Sequence, residues 1–169
     1  YFLVVNPEKV KAENFQSFLA AGLKAEQPLV YASANVGGRL AGELLKKVSG
    51  LKVVNAPYRN SGQAMTDLLG AQFDYYICDA VTALPQIQAN KIRALAVTSK
   101  EPAPMLPQVP PLATLGYPDF DIASWIAIWS SAKTPAAVSS KLSDIIVQAF
   151  EAPEGRGFLL KVGLALMKG

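Results

Sequence analysis

Apolar residues along this chain follow two patterns that alternate from one end to the other. Short runs rich in Val, Ile, Tyr and Phe are typical of buried β-strands, and the segments between them carry apolar residues at helical spacing. This succession predicts an α/β fold, in which a mostly parallel sheet is covered by helices on both faces. The runs predict strands at Phe2–Val5, Leu29–Ala32, Lys52–Ala56, Phe73–Ile77, Arg93–Thr98 and Ile122–Trp129.

Three apolar stripes predict the best-defined helices. In chain order they comprise Phe15, Phe18, Leu19 and Leu23; Leu40, Leu44, Leu45 and Val48; and Val138, Leu142, Ile145, Ile146, Ala149 and Phe150. The third stripe has the most regular spacing, and we expect Thr134 to cap its helix with Pro135 at the first helical position. Six prolines between Ser99 and Asp119 predict an extended connection, and a short helix is expected after Glu151.

Composition and charge narrow the class of protein. The chain has 169 residues, 51% hydrophobic and 17% charged, so we expect a soluble globular domain with a substantial core. Its 16 Lys and Arg residues are scattered, so the net charge of +3 does not predict nucleic-acid binding. The single cysteine, Cys78, allows no intrachain disulfide and is expected to be a small buried hydrophobe. The start at Tyr1, without Met or a leader, is expected of a trimmed chain.

The first candidate binding segment lies where a predicted strand leads into a helix, since ligands of parallel α/β sheets bind beyond the carboxyl ends of the strands. We expect its two glycines to turn the chain and to present N–H groups at a positive helix end, which suits an anion. Arg39 would start the helix and add a two-pronged contact to a carboxylate. Alternatively, the glycines serve only the turn and Arg39 points to solvent. The segment comprises Ser33, Ala34, Asn35, Val36, Gly37, Gly38 and Arg39.

Two further segments follow the next predicted strands. One comprises Tyr58, Arg59, Asn60, Ser61 and Gly62. Its polar groups suit the orientation of a ligand, although Ser61 is equally well explained as a helix N-cap. In the other, Pro85 favours a helix that begins near Ala83 with Thr82 as its cap, which leaves Asp79 free at the end of the strand. We expect all three segments to face one edge of the sheet.

The sequence carries no motif for catalysis or for a cofactor. It contains no histidine, so a catalytic base would have to be Lys, a carboxylate, Tyr or Cys. It has neither a G-x-S-x-G elbow nor spaced metal ligands, and the spacing of Gly37, Gly38 and Gly42 matches no nucleotide-binding loop. We therefore expect a binding protein rather than an enzyme, with no metal and no cofactor.

Segments spread over most of the chain carry a resemblance to one family. They are LVVNP, PLVYAS, APYRNSGQAMTDLLGAQFDYYICD, ALPQIQANKIRALAVTS and the stretch from LPQVPPLATLGYPDF to TPAAVSSKLSDII. Together they resemble the solute-binding proteins of tripartite tricarboxylate transporters, also called the Bug family. The resemblance implies a periplasmic protein of the type II binding-protein kind, whose two α/β lobes close on a carboxylate and deliver it to membrane permease subunits. That carboxylate would be a di- or tricarboxylate, an acidic amino acid or an aromatic acid.

The resemblance also implies a domain organisation. Residues 5–120 would form the second lobe of the two-lobed protein. Residues 121–169 would supply a returning crossing strand and C-terminal helices that belong partly to a truncated first lobe.

The ligand contacts implied by the resemblance fall on the three segments already described. They are Ser33 with the loop that ends at Gly38, the residues Tyr58–Gly62, and Asp79. The first loop departs from the family pattern, since it is two residues shorter, lacks the usual His and places Arg39 directly before Leu40. Asn60 and Asn90 stand where the family has glycine, and asparagine tolerates left-handed backbone better than other residues with a side chain.

Two other classes of protein remain open. The effector-binding domain of a LysR-type transcription regulator has a related two-lobed architecture, and an enzyme acting on a carboxylate is the weaker alternative because histidine is absent. One lobe supplies only part of the ligand contacts, so we expect millimolar or weaker affinity from this chain. We also expect exposed apolar surface around Trp125 and Trp129, which favours self-association. The alternation through residues 125, 127 and 129 instead places both tryptophans in the core rather than in a ligand-stacking role.

Overall fold

The computed structural model describes residues 1–164 and 166, and the chain divides into two compact units, Tyr1–Ser124 and Trp125–Gly169. The first unit holds a five-stranded sheet. Its strands are β1 (Phe2–Val5), β2 (Leu29–Ser33), β3 (Val53–Pro57), β4 (Tyr75–Cys78) and β5 (Arg93–Val97), and its helices are α1 (Phe15–Lys24), α2 (Val36–Ser49), α3 (Ser61–Leu69) and α4 (Ala80–Gln88). Five predicted strands are thereby confirmed, with ends shifted by no more than two residues.

The strands are arranged in the order β3-β2-β4-β1-β5. β2 pairs in parallel with both β3 and β4, whereas β1 pairs antiparallel with β4 and β5. Four strands therefore run in one direction and β1 alone runs against them, which confirms a mostly parallel α/β sheet. The carboxyl ends of β2, β3 and β4 consequently meet at one edge, where β1 begins.

Helices cover both faces of this sheet, as predicted. One face packs against α1 and α2, with Phe15, Phe18 and Leu45 in its buried cluster. The other packs against α3 and α4, which contribute Leu68 and Leu84. Burial of these side chains holds the helix N-termini in place along the sheet edge.

The buried face of α2 differs from its predicted apolar stripe. Leu45 is buried, but Leu40 and Val48 are 57% and 45% exposed. Gly42 is buried against the sheet instead. The ring of Tyr31 occupies the space that a Cβ at this position would need. A residue without a side chain therefore sets how closely this helix approaches the sheet.

The strand predicted at Ile122–Trp129 is wrong. The Ile122 N–H donates to the carbonyl of Thr98 at 2.7 Å, but no strand follows. A strand requires a neighbouring backbone to pair with, and apolar alternation does not supply one. Trp125 and Trp129 are 68% and 80% exposed, so their predicted place in a core is also wrong. Their expected exposure is confirmed, and self-association stays a prediction.

The second unit contains α5 (Ala136–Glu151) and α6 (Pro153–Lys161), which confirms the short helix expected after Glu151. Thr134 does not cap α5, because Pro135 takes the N-cap position and no side chain makes a capping hydrogen bond. The expected place of Pro135 at the first helical position is therefore also wrong, since the helix begins at Ala136. No residue of α5 is buried, although its apolar stripe is the most regular in the sequence.

Candidate functional site

The three candidate segments lie at the same edge of the sheet. Ser33 at the end of β2 pairs with Pro57 at the end of β3, and Ala32 pairs with Tyr76 near the end of β4. Each of these strands leads within a few residues into the first turn of a helix. The N-termini of α2, α3 and α4 therefore converge on one rim, as predicted from the sequence.

Helix α2 begins before Arg39, the residue at which its start was expected. The helix begins at Val36, and the Asn35 side chain caps it by accepting from the Gly38 N–H at 2.8 Å. Gly37 and Gly38 thus lie in the first helical turn, and the prediction that they form the turn before the helix is wrong. They permit close approach instead, since a Cβ at Gly38 would lie 2.5 Å from the carbonyl oxygen of Ile77.

Two arginines place positive charge beside the first turns of α2 and α3. Arg39 follows the glycine pair and is exposed, and Arg59 precedes the cap of α3 and is also exposed. The expected contact of Arg39 with a carboxylate stays a prediction.

The start of α3 corrects the assignment of its cap. Asn60, not Ser61, is the N-cap, and its side chain accepts from the Gln63 N–H at 2.8 Å. Asn60 has φ −149°, so it is extended rather than left-handed. Asn90, in contrast, adopts the left-handed conformation with φ 56°, as expected where the family has glycine.

The Tyr58 hydroxyl is hydrogen-bonded to the helix that follows its segment. The phenol donates to Oδ2 of Asp67 at 2.8 Å. Burial, together with this hydrogen bond to a carboxylate, raises the pKa of Tyr58 to about 12, so the group keeps its proton near neutral pH. The phenol braces the loop before α3 against the body of that helix.

The prediction that Asp79 is free of capping is wrong. Asp79 is the N-cap of α4, and its Oδ1 accepts from both the N–H of Thr82 at 2.9 Å and the Thr82 hydroxyl at 2.8 Å. These two bonds start the helix at Ala80, and Pro85 is accommodated inside it at the loss of one backbone hydrogen bond. Asp79 still lies at the rim, where it adds negative charge at the start of α4.

The Ser33 side chain is hydrogen-bonded to the neighbouring strand. This side chain is buried, and Nδ2 of Asn55 on β3 donates to its Oγ at 2.8 Å. The Ser33 carbonyl also accepts from the Tyr58 N–H at 2.8 Å. Ser33 and Asn55 together fix the relative positions of the first two segments.

The structure adds two tyrosines that sequence reasoning missed. Tyr1 precedes β1 and its hydroxyl lies against Gly37, where a Cβ would collide with it. Burial and the nearby Asp79 carboxylate both raise the pKa of the Tyr1 phenol. Tyr76, on β4, lies behind the start of α3. The direction of β1 brings Tyr1 to this edge. The apolar pattern of the sequence does not indicate that direction.

Cys78 is fully buried at the end of β4, as predicted, and burial raises the pKa of its thiol. Within residues 1–164 and 166, no three His, Cys, Asp or Glu side chains are grouped so that they could hold a metal ion. None of the helices in this part of the chain combines the length and apolar character needed to cross a bilayer.

The rim is suited to an anion. The first N–H groups of a helix have no intrahelical acceptor, and at each of these helices the cap side chain takes the third N–H. The remaining N–H groups of the first turns carry the positive end of the helix dipole. Because Asp79 adds negative charge at α4, the starts of α2 and α3 are the more favourable places for a carboxylate.

Comparison with known proteins gives a consistent result. A curated relative from Agrobacterium vitis, a UPF0065 protein in the TAR-I ttuE-ttuC' intergenic region, is 34% identical over 153 residues, which are 89% of this chain and 44% of the relative. A solved periplasmic transporter is 31% identical with a TM-score of 0.87, over 96% of this chain and 54% of its own. The periplasmic binding protein BugD is 28% identical with a TM-score of 0.82, over 96% of this chain and 55% of its own.

The chain therefore has the mixed α/β fold of these periplasmic binding proteins. The family model for the tripartite tricarboxylate transporter family receptor, TctC, matches residues 1–169, and the chain belongs to this family of solute-binding proteins. It spans about half the length of the first relatives that it matches.

Proposed function

We propose that this chain forms one wall of a site that captures a small carboxylate in the periplasm, for delivery to the membrane permease subunits of a tripartite transporter. The observation that carries the proposal is the convergence of the α2, α3 and α4 N-termini on one sheet edge. Membership of the receptor family supports it, as does the description of BugD as a periplasmic binding protein. The role is capture rather than catalysis, and no observation favours a transcription regulator.

The proposed contacts are the polar and backbone groups of the three segments. The first-turn N–H groups of α2 and α3 would bind the carboxylate oxygens, and Arg39 and Arg59 would add charge from the exposed side. Asp79 and the Tyr1 phenol would contact other polar groups of the ligand. From membership of the family we also propose that residues 5–120 form the second lobe of a two-lobed protein.

A titration of the isotope-labelled chain with citrate, malate, glutamate and benzoate tests this proposal. We expect one of these acids to shift the backbone amide signals of Val36, Gly37, Ser61 and Gly62. The dissociation constant should be millimolar or weaker, because one wall gives only part of the contacts needed to desolvate the ligand. Amide chemical shifts detect such weak binding. An absence of response to all four acids, or shifts confined to surface lysines elsewhere, would contradict the proposal.

Two charge-adding substitutions at the caps test where the anion binds. Asn35→Asp and Asn60→Asp keep a side-chain oxygen for the capping hydrogen bond, so the folded state should be as stable as before. Each adds a negative charge beside the proposed carboxylate, and we expect the affinity for the responding acid to fall about fivefold. The measurement is the same amide titration, together with thermal unfolding.

Asn14→Asp is the matched control for these variants. Asn14 caps α1 in the same way, accepting from the Ser17 N–H at 2.8 Å. It lies at the opposite sheet edge, since the neighbouring Ala12 carbonyl accepts from the Arg93 side chain at the start of β5. Its substitution should leave the affinity unchanged. An equal fall in all three variants would show a general charge effect and no site at the rim.

A further inference from the structure

Thr98, the residue after β5, is fully buried, and its hydrogen bonds hold the residue that precedes β1. Phe2 on β1 pairs with Val97 on β5, so Tyr1 is the next position along this antiparallel ladder and lies opposite Thr98. The Thr98 N–H donates to the carbonyl of Tyr1 at 3.0 Å, and the Tyr1 amino group donates to Oγ1 of Thr98 at 2.9 Å. The backbone of Tyr1 is therefore held on both sides by one residue.

The Thr98 side chain takes the place of its own carbonyl in this ladder. Two residues that form a hydrogen-bonded antiparallel pair normally exchange both of their N–H···O=C bonds. Here the Thr98 carbonyl instead accepts from the Ile122 N–H at 2.7 Å. The Thr98 hydroxyl accepts from Tyr1 and donates its single proton to the Ile122 carbonyl at 2.6 Å. Valine at this position would keep the shape of the side chain but would deprive both of these backbone groups of their partner.

The side chain of Tyr1 reaches the candidate site. Its ring and hydroxyl occupy the space that a Cβ at Gly37 would need, so the phenol lies across the second residue of α2. In this first turn the Gly38 N–H is taken by the Asn35 cap, which leaves the N–H groups of Val36 and Gly37 for a ligand. The phenol oxygen therefore lies beside the proposed position of the carboxylate.

The Tyr1 phenol is suited to donate a hydrogen bond at this place. Its residue is half-buried, and burial raises the pKa of the phenol, so the group keeps its proton near neutral pH. The hydrogen bonds to Thr98 use the backbone of Tyr1 and do not use its hydroxyl. A phenol that keeps its proton can donate it to an oxygen of the ligand.

We propose that Thr98 is a positioning residue for ligand recognition: by holding the backbone of Tyr1, it keeps the phenol at the start of α2, where the phenol donates to a further oxygen of the bound acid. This inference rests on the proposed function and extends it to a residue outside the three candidate segments. The ligand is then an acid with an oxygen group besides the carboxylate that α2 binds. Thr98 itself does not touch the ligand, because it is fully buried.

The amide titration with citrate, malate, glutamate and benzoate tests this inference in four variants. We expect Tyr1→Phe to weaken binding of the responding acid about three- to tenfold. Thr98→Val should weaken it by a similar factor, and the double variant should bind no more weakly than Tyr1→Phe alone, because Thr98 acts through Tyr1. Thr98→Ser keeps the hydroxyl and should restore the affinity of the wild type.

The signals of Gly37 report the position of the Tyr1 ring directly. An aromatic ring shifts the resonances of atoms that lie against its face, and Gly37 lies against this ring. Thr98→Val should therefore move the Gly37 signals of the ligand-free chain, and Thr98→Ser should return them to their wild-type positions. A hydroxyl that only stabilised the fold would leave these signals where they are.

Asn6→Ala is the matched control at the other end of β1. Asn6 is also buried, and its side chain donates to the carbonyls of Leu68 and Leu69 at 3.1 and 3.0 Å. Its replacement should lower the midpoint of thermal unfolding, as Thr98→Val does, but should leave the affinity and the Gly37 signals unchanged. The comparison separates a loss of stability from a loss of position.

The outcomes separate this inference from the proposed function. Unchanged affinity in Thr98→Val, or equal weakening by Asn6→Ala, would overturn the role of Thr98 and leave the rim site intact. Strictly additive effects of Tyr1→Phe and Thr98→Val would overturn it as well, and so would a response to benzoate alone, which has no further oxygen. If Thr98→Val does not fold, Thr98→Ser decides, since wild-type affinity and Gly37 signals support the inference and the loss of both overturns it. A wild-type chain that responds to none of the four acids would overturn both proposals.

Discussion

Replacing Gly38 with alanine is expected to lower the free energy of unfolding by about 3 kcal/mol. The new Cβ would lie 2.5 Å from the carbonyl oxygen of Ile77, closer than any relaxed structure allows. That oxygen belongs to the backbone of β4, which is paired on one side with β1 and on the other with β2. Since the strand is held on both sides, α2 would have to move away from the sheet and lose part of its packing.

Gly62→Ala is the matched control for this variant. Gly62 lies in the first turn of α3, as Gly38 does in α2, but the nearest atom to its added Cβ is Oδ1 of Asn60 at 3.5 Å. This is an ordinary contact, and alanine favours helix over glycine, so stability should be unchanged or higher by up to about 1 kcal/mol. Denaturant unfolding followed by circular dichroism measures both. Equal stabilities for the two variants would show that α2 does not require contact with β4 at Gly38.

The sheet and its binding edge could be predicted because their causes are local. Short apolar runs with β-branched and aromatic residues identify strands, and helices between them require parallel crossovers. Parallel strands then bring their carboxyl ends to one edge, so the segments after β2, β3 and β4 had to meet. None of these causes depends on a side-chain contact, so the binding edge can be predicted without knowledge of the packing.

The direction of β1 could not be obtained in the same way. A strand of four apolar residues looks the same whichever way it runs, and only its pairing with β4 and β5 makes it antiparallel. The reversal brings Tyr1 to the edge with the binding segments. A candidate site derived from sequence therefore omitted an aromatic hydroxyl that lies beside Gly37.

Helix starts were the least predictable part of the site. Asn60 and Ser61 are both good capping residues, and so are Asp79 and Thr82, so propensity does not choose within either pair. The hydrogen bonds decide in favour of Asn60 and Asp79. Each correction moves the first turn toward the sheet and changes which side chains are available to a ligand.

The stripe of α5 illustrates a different limit. Helical spacing of apolar residues shows that one face is suited to burial, but it does not show what covers that face. The residues of α5 include Val138, Leu142 and Ile145, which are 48%, 46% and 52% exposed. The spacing therefore predicted the helix correctly, but no residue of α5 is buried.

Phe18→Ala is expected to lower the free energy of unfolding by about 4 kcal/mol, the second large effect that the fold predicts. The Phe18 side chain is 2% exposed and lies 6.3 Å from the ring of Phe15 and 5.3 Å from that of Tyr75, measured between ring centroids. Alanine would leave a cavity between α1 and β4 that these rings cannot fill without disturbing the sheet. Urea unfolding followed by far-ultraviolet circular dichroism gives the free energy.

Ile145→Ala tests whether the large effect expected of Phe18→Ala is due to burial. Ile145 also lies in a helix and on an apolar stripe, but it is 52% exposed, so its truncation should cost less than about 1 kcal/mol. The contrast between the two variants depends on burial, since alanine favours helix at both positions. If Ile145→Ala destabilised the chain as much as Phe18→Ala, the α5 stripe would have to be buried in solution. Self-association through this exposed surface would then be the most direct explanation of that burial. The loss of stability in Ile145→Ala would in that case depend on protein concentration.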